Sequence, residues 1–326
     1  RNNVKKLPLR IKELVPGYRA KWRARYACFL DEITKLAPCL TYGEDGDTPW
    51  IEIKDGPRLF GFWTEPANKE VHYLLRDDLP TDIPVSHFRL VKDCLNRYLY
   101  PHMRPDLKPD GFDADAMFGF HGQHKDAIAD IDDAVIREEL RSAFEPGFDD
   151  VILDCGAFLG FGDLRLAADT VQGHIYAIEA DKDCFALLQR NVSENEISNI
   201  TAIHRAVWNE ETELELESDF AQANSLVSEV HKGRYTQTVR TITVDAAVTH
   251  FGLQKLDMLS LTLNGAEVEA LDGAQHTLGE LRPRIRLAGW YSRQDRKIWS
   301  ITKEMLEPYG YQVIVGERGN VMALPT

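Results

Sequence analysis

From Val151 to the C-terminus the chain alternates short, nearly continuous apolar runs with stretches of helical period. The runs are Val151–Cys155, Ile175–Glu179, Thr201–His204, Met258–Leu263, Arg284–Trp290, Tyr311–Val315 and Val321–Leu324. Strands covered on both faces lose the in–out alternation of a half-exposed sheet, and parallel strands need helices to return the chain to the same end. The rhythm therefore predicts an open, mostly parallel α/β sheet with an antiparallel last strand. It breaks once, between Glu211 and Val244, where ETELELES and TVRTITV read as two strands of an antiparallel insertion after the third strand.

Residues 1–114 read differently, as an α+β extension to the α/β domain of residues 115–326. Trp22, Tyr26, Phe29, Leu30, Ile33 and Leu36 recur at spacings of three and four, which predicts an amphipathic helix over Tyr18–Ala37. A loop at Gly43–Asp47 precedes WIEIKDGPRLFGFW, a hairpin pattern turning at Asp55-Gly56-Pro57. Between the proline-rich stretches Pro80–Pro84 and Pro101–Gly111 a helix is expected through His87–Tyr98.

Charge narrows the partners. The chain has 38 Lys and Arg against 52 Asp and Glu, a net charge of −14. Residues 150–326 hold 16 of the basic and 26 of the acidic side chains, so −10 of it lies there. Such a surface repels a phosphate backbone, and no nucleic-acid partner is expected despite a basic first 25 residues. No apolar run reaches the roughly 18 residues of a membrane span, and the N-terminal residues do not read as a secretory signal. Five scattered cysteines with no CxxC pair fit a reducing, cytoplasmic compartment and give no zinc site. His121 and His124 have a metal-compatible spacing but no third ligand at hand, so no metal is expected.

The chemistry-bearing residues cluster at the expected carboxyl ends of the strands, where open α/β sheets bind ligands. In VILDCGAFLGFGDLRLA, Asp154 ends the first strand and Gly156, Ala157, Phe158 and Gly160 form a turn into a helix. A dinucleotide site would have GxGxxG to receive a pyrophosphate; this loop has GAFLG. A nucleoside without phosphate asks instead for a carboxylate at the strand end, which Asp154 supplies. Glu179 ends the second strand, placed to accept both ribose hydroxyls, with Ala180 next to it. Arg205 and Ala206 follow the third strand, where a small residue leaves room for an adenine ring. Thr262 and Asn264 end the fourth.

In wording and order these segments resemble the FkbM-type methyltransferases, class I enzymes with a Rossmann-like sheet. Asp154 to Phe161, Glu179, Ala206-Val207 and the stretch from Ser260 to Glu267 with Leu271 and Gly273-Ala274 carry the likeness, across roughly residues 115–320. The resemblance implies S-adenosylmethionine as cofactor and O-methylation of a sugar, polyketide or other small molecule. Two positions depart from it. The family's KIDVEG trio of Lys, Asp and Glu is Ser260, Thr262 and Asn264 here, and a Tyr-His pair is Tyr291-Ser292.

Glu267, Tyr291 and His204 are the candidates for taking the acceptor's proton, and Trp63, Trp208, Trp290 and Tyr291 for a sugar-stacking wall. A small-molecule or glycan acceptor is the expected partner, with self-association into a homo-oligomer open. Two other readings stand beside the methyltransferase: a catalytically silent binding module, suggested by the neutral Thr262 and Asn264, and a nicotinamide-dependent oxidoreductase, suggested by Glu179 and opposed by the missing GxGxxG.

Overall fold

The computed structural model describes residues 33–34, 36–64, 83–95, 98, 143–218, 224–230, 232–233, 235–316 and 319–326. The chain divides into two compact units, 1–122 and 123–326.

In the first unit, strands β1 (Leu40–Asp45), β2 (Thr48–Ile53) and β3 (Arg58–Phe60) form an antiparallel meander. The hairpin expected around Asp55 is β2–β3. The expected loop at Gly43–Asp47 is mostly strand: β1 runs through Asp45 and only Gly46-Asp47 turn. Gly43, Glu44 and Asp45 have the composition of a loop, but the register sets Gly43 opposite Trp50, whose indole covers it. Pairing and that packing override local preference. Helix α1 (Phe88–Cys94) lies within the expected His87–Tyr98 stretch. It packs on β2 and β3 through buried Phe88, Leu90, Val91 and Cys94. Ile33 and Leu36 of the expected first helix are buried, as its apolar face requires; its earlier members, the basic N-terminus, His121 and His124 lie outside the described residues.

The second unit is built on a seven-stranded sheet. Its strands in chain order are β4 (Val151–Cys155), β5 (His174–Glu179), β6 (Ile200–His204), β10 (Met258–Leu261), β11 (Arg284–Ala288), β14 (Tyr311–Val315) and β15 (Asn320–Pro325). Their spatial order is β14-β15-β11-β10-β4-β5-β6, and only β15 runs against its neighbours. The chain starts at β4, moves outward through β5 to β6, then returns to β10 on the other side of β4. The switch point of the sheet therefore lies between β4 and β10.

Helices α2 (Phe161–Asp169) and α3 (Lys182–Glu194) pack on β5 and β6. The other face buries Leu153, Cys155, Leu259, Leu261, Ile285 and Leu287 with residues of α4 (Val244–His250), α5 (Glu267–Asp272) and α6 (Ile298–Leu306). The expected insertion is β8 (Glu213–Ser218) paired antiparallel with β9 (Tyr235–Ile242), joined by β7 (Ala206–Val207) alongside β9. A small hairpin of β12 (Ser292–Arg293) and β13 (Arg296–Lys297) follows β11.

Two expected strands end early. β10 stops at Leu261 rather than Leu263, and β11 at Ala288 rather than Trp290. In both cases apolarity continues past the last paired residue, because Leu263 and Trp290 in the following loops are half-buried. Strand length was read from hydrophobicity, which reports burial and not pairing.

Candidate functional site

The turn after β4 is fixed from three sides. Gly156 takes a φ of +90°, and a Cβ there would collide with the carbonyl oxygen of Thr262 beyond β10, so the two strand ends close on each other. Gly156 and Ala157 both donate to the Ile178 carbonyl on β5, at 2.8 and 3.2 Å. From α3, the buried Asn191 donates its Nδ2 to the Leu159 carbonyl at 2.9 Å. Phe158 is held at a φ of +56°, a conformation a non-glycine residue adopts only when its surroundings impose it.

What imposes it is Glu179. Its Oε2 accepts the Phe158 N–H at 2.7 Å, and its Oε1 accepts the Asp181 N–H at 2.8 Å. Burial pushes the Glu179 carboxyl up to about 7, with backbone donors at Asp181, Phe158 and Ala180 pulling the other way. A carboxylate has about four acceptor sites, so at least one is left for a ligand donor. Asp154 occupies the row Ala177–Asp154–Ser260–Arg286 across β5, β4, β10 and β11, all on one face of the sheet. Arg286 Nε donates to Ser260 Oγ at 3.1 Å, so a cation stands beside Ser260.

Asp181 is the hub that sequence reading passed over. It is 4% exposed and caps α3, its Oδ1 accepting from the N–H groups of Asp183 and Cys184 at 2.9 and 3.0 Å. Its Oδ2 accepts from Asn224 at 2.8 Å, Gln237 at 2.6 Å and Ser218 at 3.5 Å, all from the insertion. An Asp before a helical pattern is readable as a cap; its long-range partners, 37 to 56 residues away, leave no local signal. Asn191 is equally silent in sequence.

After β10 the chain turns sharply at Asn264 (φ +52°) and Gly265 (φ +116°). Glu267 clamps this turn: Oε1 accepts Leu263 N–H and Oε2 accepts Gly265 N–H, each at 2.9 Å. Glu267 is fully buried, which lifts its carboxyl to about 7. Tyr291 Oη donates to Asn264 Oδ1 at 3.3 Å. Burial raises the phenol above its usual value, opposed by a hydrogen bond with Trp290, so it stays protonated at neutral pH.

His204 points elsewhere. Its Nε2 is 2.9 Å from the Ala180 carbonyl and its ring stacks on Phe185. With Arg205, Ile242 and His250 it lines a cavity of about 390 Å³ that Asp154, Glu179 and Tyr291 do not line. Arg205 donates its N–H to the Glu179 carbonyl at 3.1 Å, and Ala206 is buried in β7. Of the expected aromatic wall, Trp290 and Tyr291 are together, with ring centroids 5.8 Å apart. Trp208 follows β7, and Trp63 belongs to the first unit. Among the described residues no cluster of three or more His, Cys, Asp or Glu could hold a metal, and no helix is long and apolar enough to cross a membrane.

A sheet in this order, closed at its switch point by a glycine turn and followed by a buried carboxylate on the second strand, defines the class I S-adenosylmethionine-dependent methyltransferase fold. Residues 154–313, just under half of the chain, match the methyltransferase FkbM domain. Among solved structures it is similar to an FkbM methyltransferase from Methylobacillus flagellatus, at 16% identity and a TM-score of 0.42 over 64% of this chain and 52% of that one. The chain thus spans about half the length of that relative. Aeropyrum pernix fibrillarin with bound S-adenosyl-L-methionine is 12% identical over 87% of this chain and 96% of its own, with a TM-score of 0.37. No curated protein matches the chain. S-adenosylmethionine is the cofactor of the domain, and the residues present fit it: Glu179 and Asp154 stand near the ends of adjacent strands, beside the turn that Gly156 closes against Thr262.

Proposed function

We propose that the protein transfers a methyl group to a hydroxyl of a small molecule or glycan. The observation that supports this reading is the Glu179–Phe158 clamp beside the switch point, a buried carboxylate that would meet a ribose and that fixes the glycine turn. Asp154 would orient the amino end of the cofactor, Glu179 its ribose hydroxyls, and Ala180, Arg205 and Ala206 would border the adenine.

When bound, S-adenosylmethionine supplies a methyl group already activated by its sulfonium, so the protein's part is alignment and exclusion of water. Thr262, Asn264 and Tyr291 form the acceptor end. As a protonated phenol donating to Asn264, Tyr291 retains a lone pair that accepts the hydrogen bond of an incoming hydroxyl and aims its oxygen. We assign Glu267 to holding the turn rather than taking a proton, because both its oxygens face their own loop. We assign His204 to holding the Ala180 loop. Trp290 beside Tyr291 offers an apolar ring to a sugar face.

The test is an acceptor panel of sugars, glycosides and phenols read by mass spectrometry. We expect a one-methyl mass increment on at least one hydroxyl compound, lost with Asp154→Ala. Tyr291→Phe should lower kcat about tenfold, the size of one lost hydrogen bond, with the cofactor KM unchanged. The neutral Thr262 and Asn264 favour a second reading, a silent binding module. Cofactor binding without turnover on any acceptor would establish it.

A further inference from the structure

The insertion loop 224–230 lies across the carboxyl edge of the sheet and bonds to both ends of the site. At one end, Asn224 Nδ2 donates to Asp181 Oδ2 at 2.8 Å, and Asp181 N–H in turn donates to Glu179. At the other, Asn264 Nδ2 donates to the Asn224 carbonyl at 3.0 Å, Ser225 Oγ donates to the Asn264 carbonyl at 2.8 Å, and Tyr291 donates to Asn264. A continuous chain therefore runs Phe158–Glu179–Asp181–Asn224–Asn264–Tyr291, from the cofactor turn to the acceptor phenol. Apolar contact reinforces it. A Cβ on Gly265 would lie 2.7 Å from Val230 and 3.5 Å from Val227, so the loop is seated directly on the turn after β10. Gln294 N–H donates to Glu229 Oε1 at 2.8 Å and fixes the loop to the β12–β13 hairpin.

We propose that Asn224 is a positioning residue that couples cofactor binding to the order of the acceptor end. This rests on the cofactor reading above. Ribose hydroxyls bonded to Glu179 fix its carboxylate, which holds the Asp181 backbone; Asp181 holds Asn224, and Asn224 holds the Asn264 side chain that receives Tyr291. Glu179 and Asp181 are buried and Asn224, Asn264 and Tyr291 half-buried, and the links through the Asp181 N–H and the Asn224 carbonyl tie side chains to backbone, so that polar groups along the chain reinforce one another. Cofactor binding then stiffens an acceptor end that the same chain already holds, and the two ligands bind with positive coupling. Neither ligand need touch Asn224 for this coupling to operate.

Hydrogen exchange on the full chain, with and without saturating S-adenosylhomocysteine, tests this. In the wild type, exchange should slow about tenfold or more at 156–160 and also at 262–266. In Asn224→Ala and in Asn224→Asp, which is nearly isosteric but lacks the donor, the ligand should still bind and slow 156–160. The slowing at 262–266 should disappear. Retained slowing at 262–266 in both variants, or none there in the wild type, overturns the coupling while leaving cofactor binding intact. A wild type that binds no S-adenosylhomocysteine overturns the cofactor reading and the coupling with it. Circular dichroism of the variants without ligand separates lost coupling from lost fold.

Discussion

Glu179 and Glu267 show how two carboxylates of one kind come to different duties. Both are buried, both accept backbone N–H groups, and burial pushes both carboxyls up to about 7. Glu179 ends β5, the strand beside the switch point, whereas Glu267 starts a helix and faces back into its own turn. Sequence placed Glu179 at the end of the second strand as a ribose ligand and Glu267 in the helix after the fourth strand as a candidate base; the direction of the Glu267 side chain decides against that role, and no spacing encodes it. Ribose hydroxyls need the ionised form of Glu179. Its folded pKa is raised, so affinity for S-adenosylhomocysteine should rise as pH increases from about 6 to 8, with proton release on binding below about 7. Calorimetry in buffers of different ionisation enthalpy measures this, and in Glu179→Gln the slope should vanish with about a tenfold loss of affinity at pH 8. For stability the sign is opposite. A carboxyl raised from 4.5 to about 7 binds its proton more tightly in the folded state, so its contribution is present below 4.5 and is lost as pH rises through about 7. Removing Glu267 as Gln should flatten that fall in wild-type stability, read by denaturant unfolding at pH 5 and 8.

At the scale of elements, the central parallel strands were legible because both their faces are covered, and β4 and β14 have the bounds their apolar runs predict. β1 was hidden by Gly43 and Asp45, and β7 by its length of two residues. The turns after β4 and β10 carry the site, and they lock each other at Gly156 and Thr262. Gly156→Ala should therefore lower stability by about 3 kcal/mol or more, since positive φ and a backbone collision combine. Thermal unfolding checks the direction, and an unchanged Tm would show that the two strand ends can separate without cost. The insertion was visible as two strands, but its loop's reach to Asp181 and Asn264 was not, because hydrogen bonds between residues about 40 positions apart have no periodicity to betray them.

For the whole molecule, the fold class came from rhythm, and the composition bounded the partners without choosing among them. The acidic excess lies in the second unit, which also holds the cofactor turn, so binding energy should appear as stability of that unit. With S-adenosylhomocysteine at a hundredfold excess over its Kd, linkage adds about 2.7 kcal/mol. For a unit of this size that is an upward Tm shift of about 5 to 10 °C in the transition belonging to 123–326. NADH, the ligand of the competing oxidoreductase reading, should give none.

The most direct measurement is a calorimetric titration of S-adenosylhomocysteine into the full chain at pH 8, beside an Asp154→Ala, Glu179→Ala double variant. Micromolar binding by the wild type that is lost in the variant is the expected result, and it would locate the cofactor at the β4–β5 strand ends. Binding that survives in the double variant, or no binding by a folded wild type, would contradict the site as described.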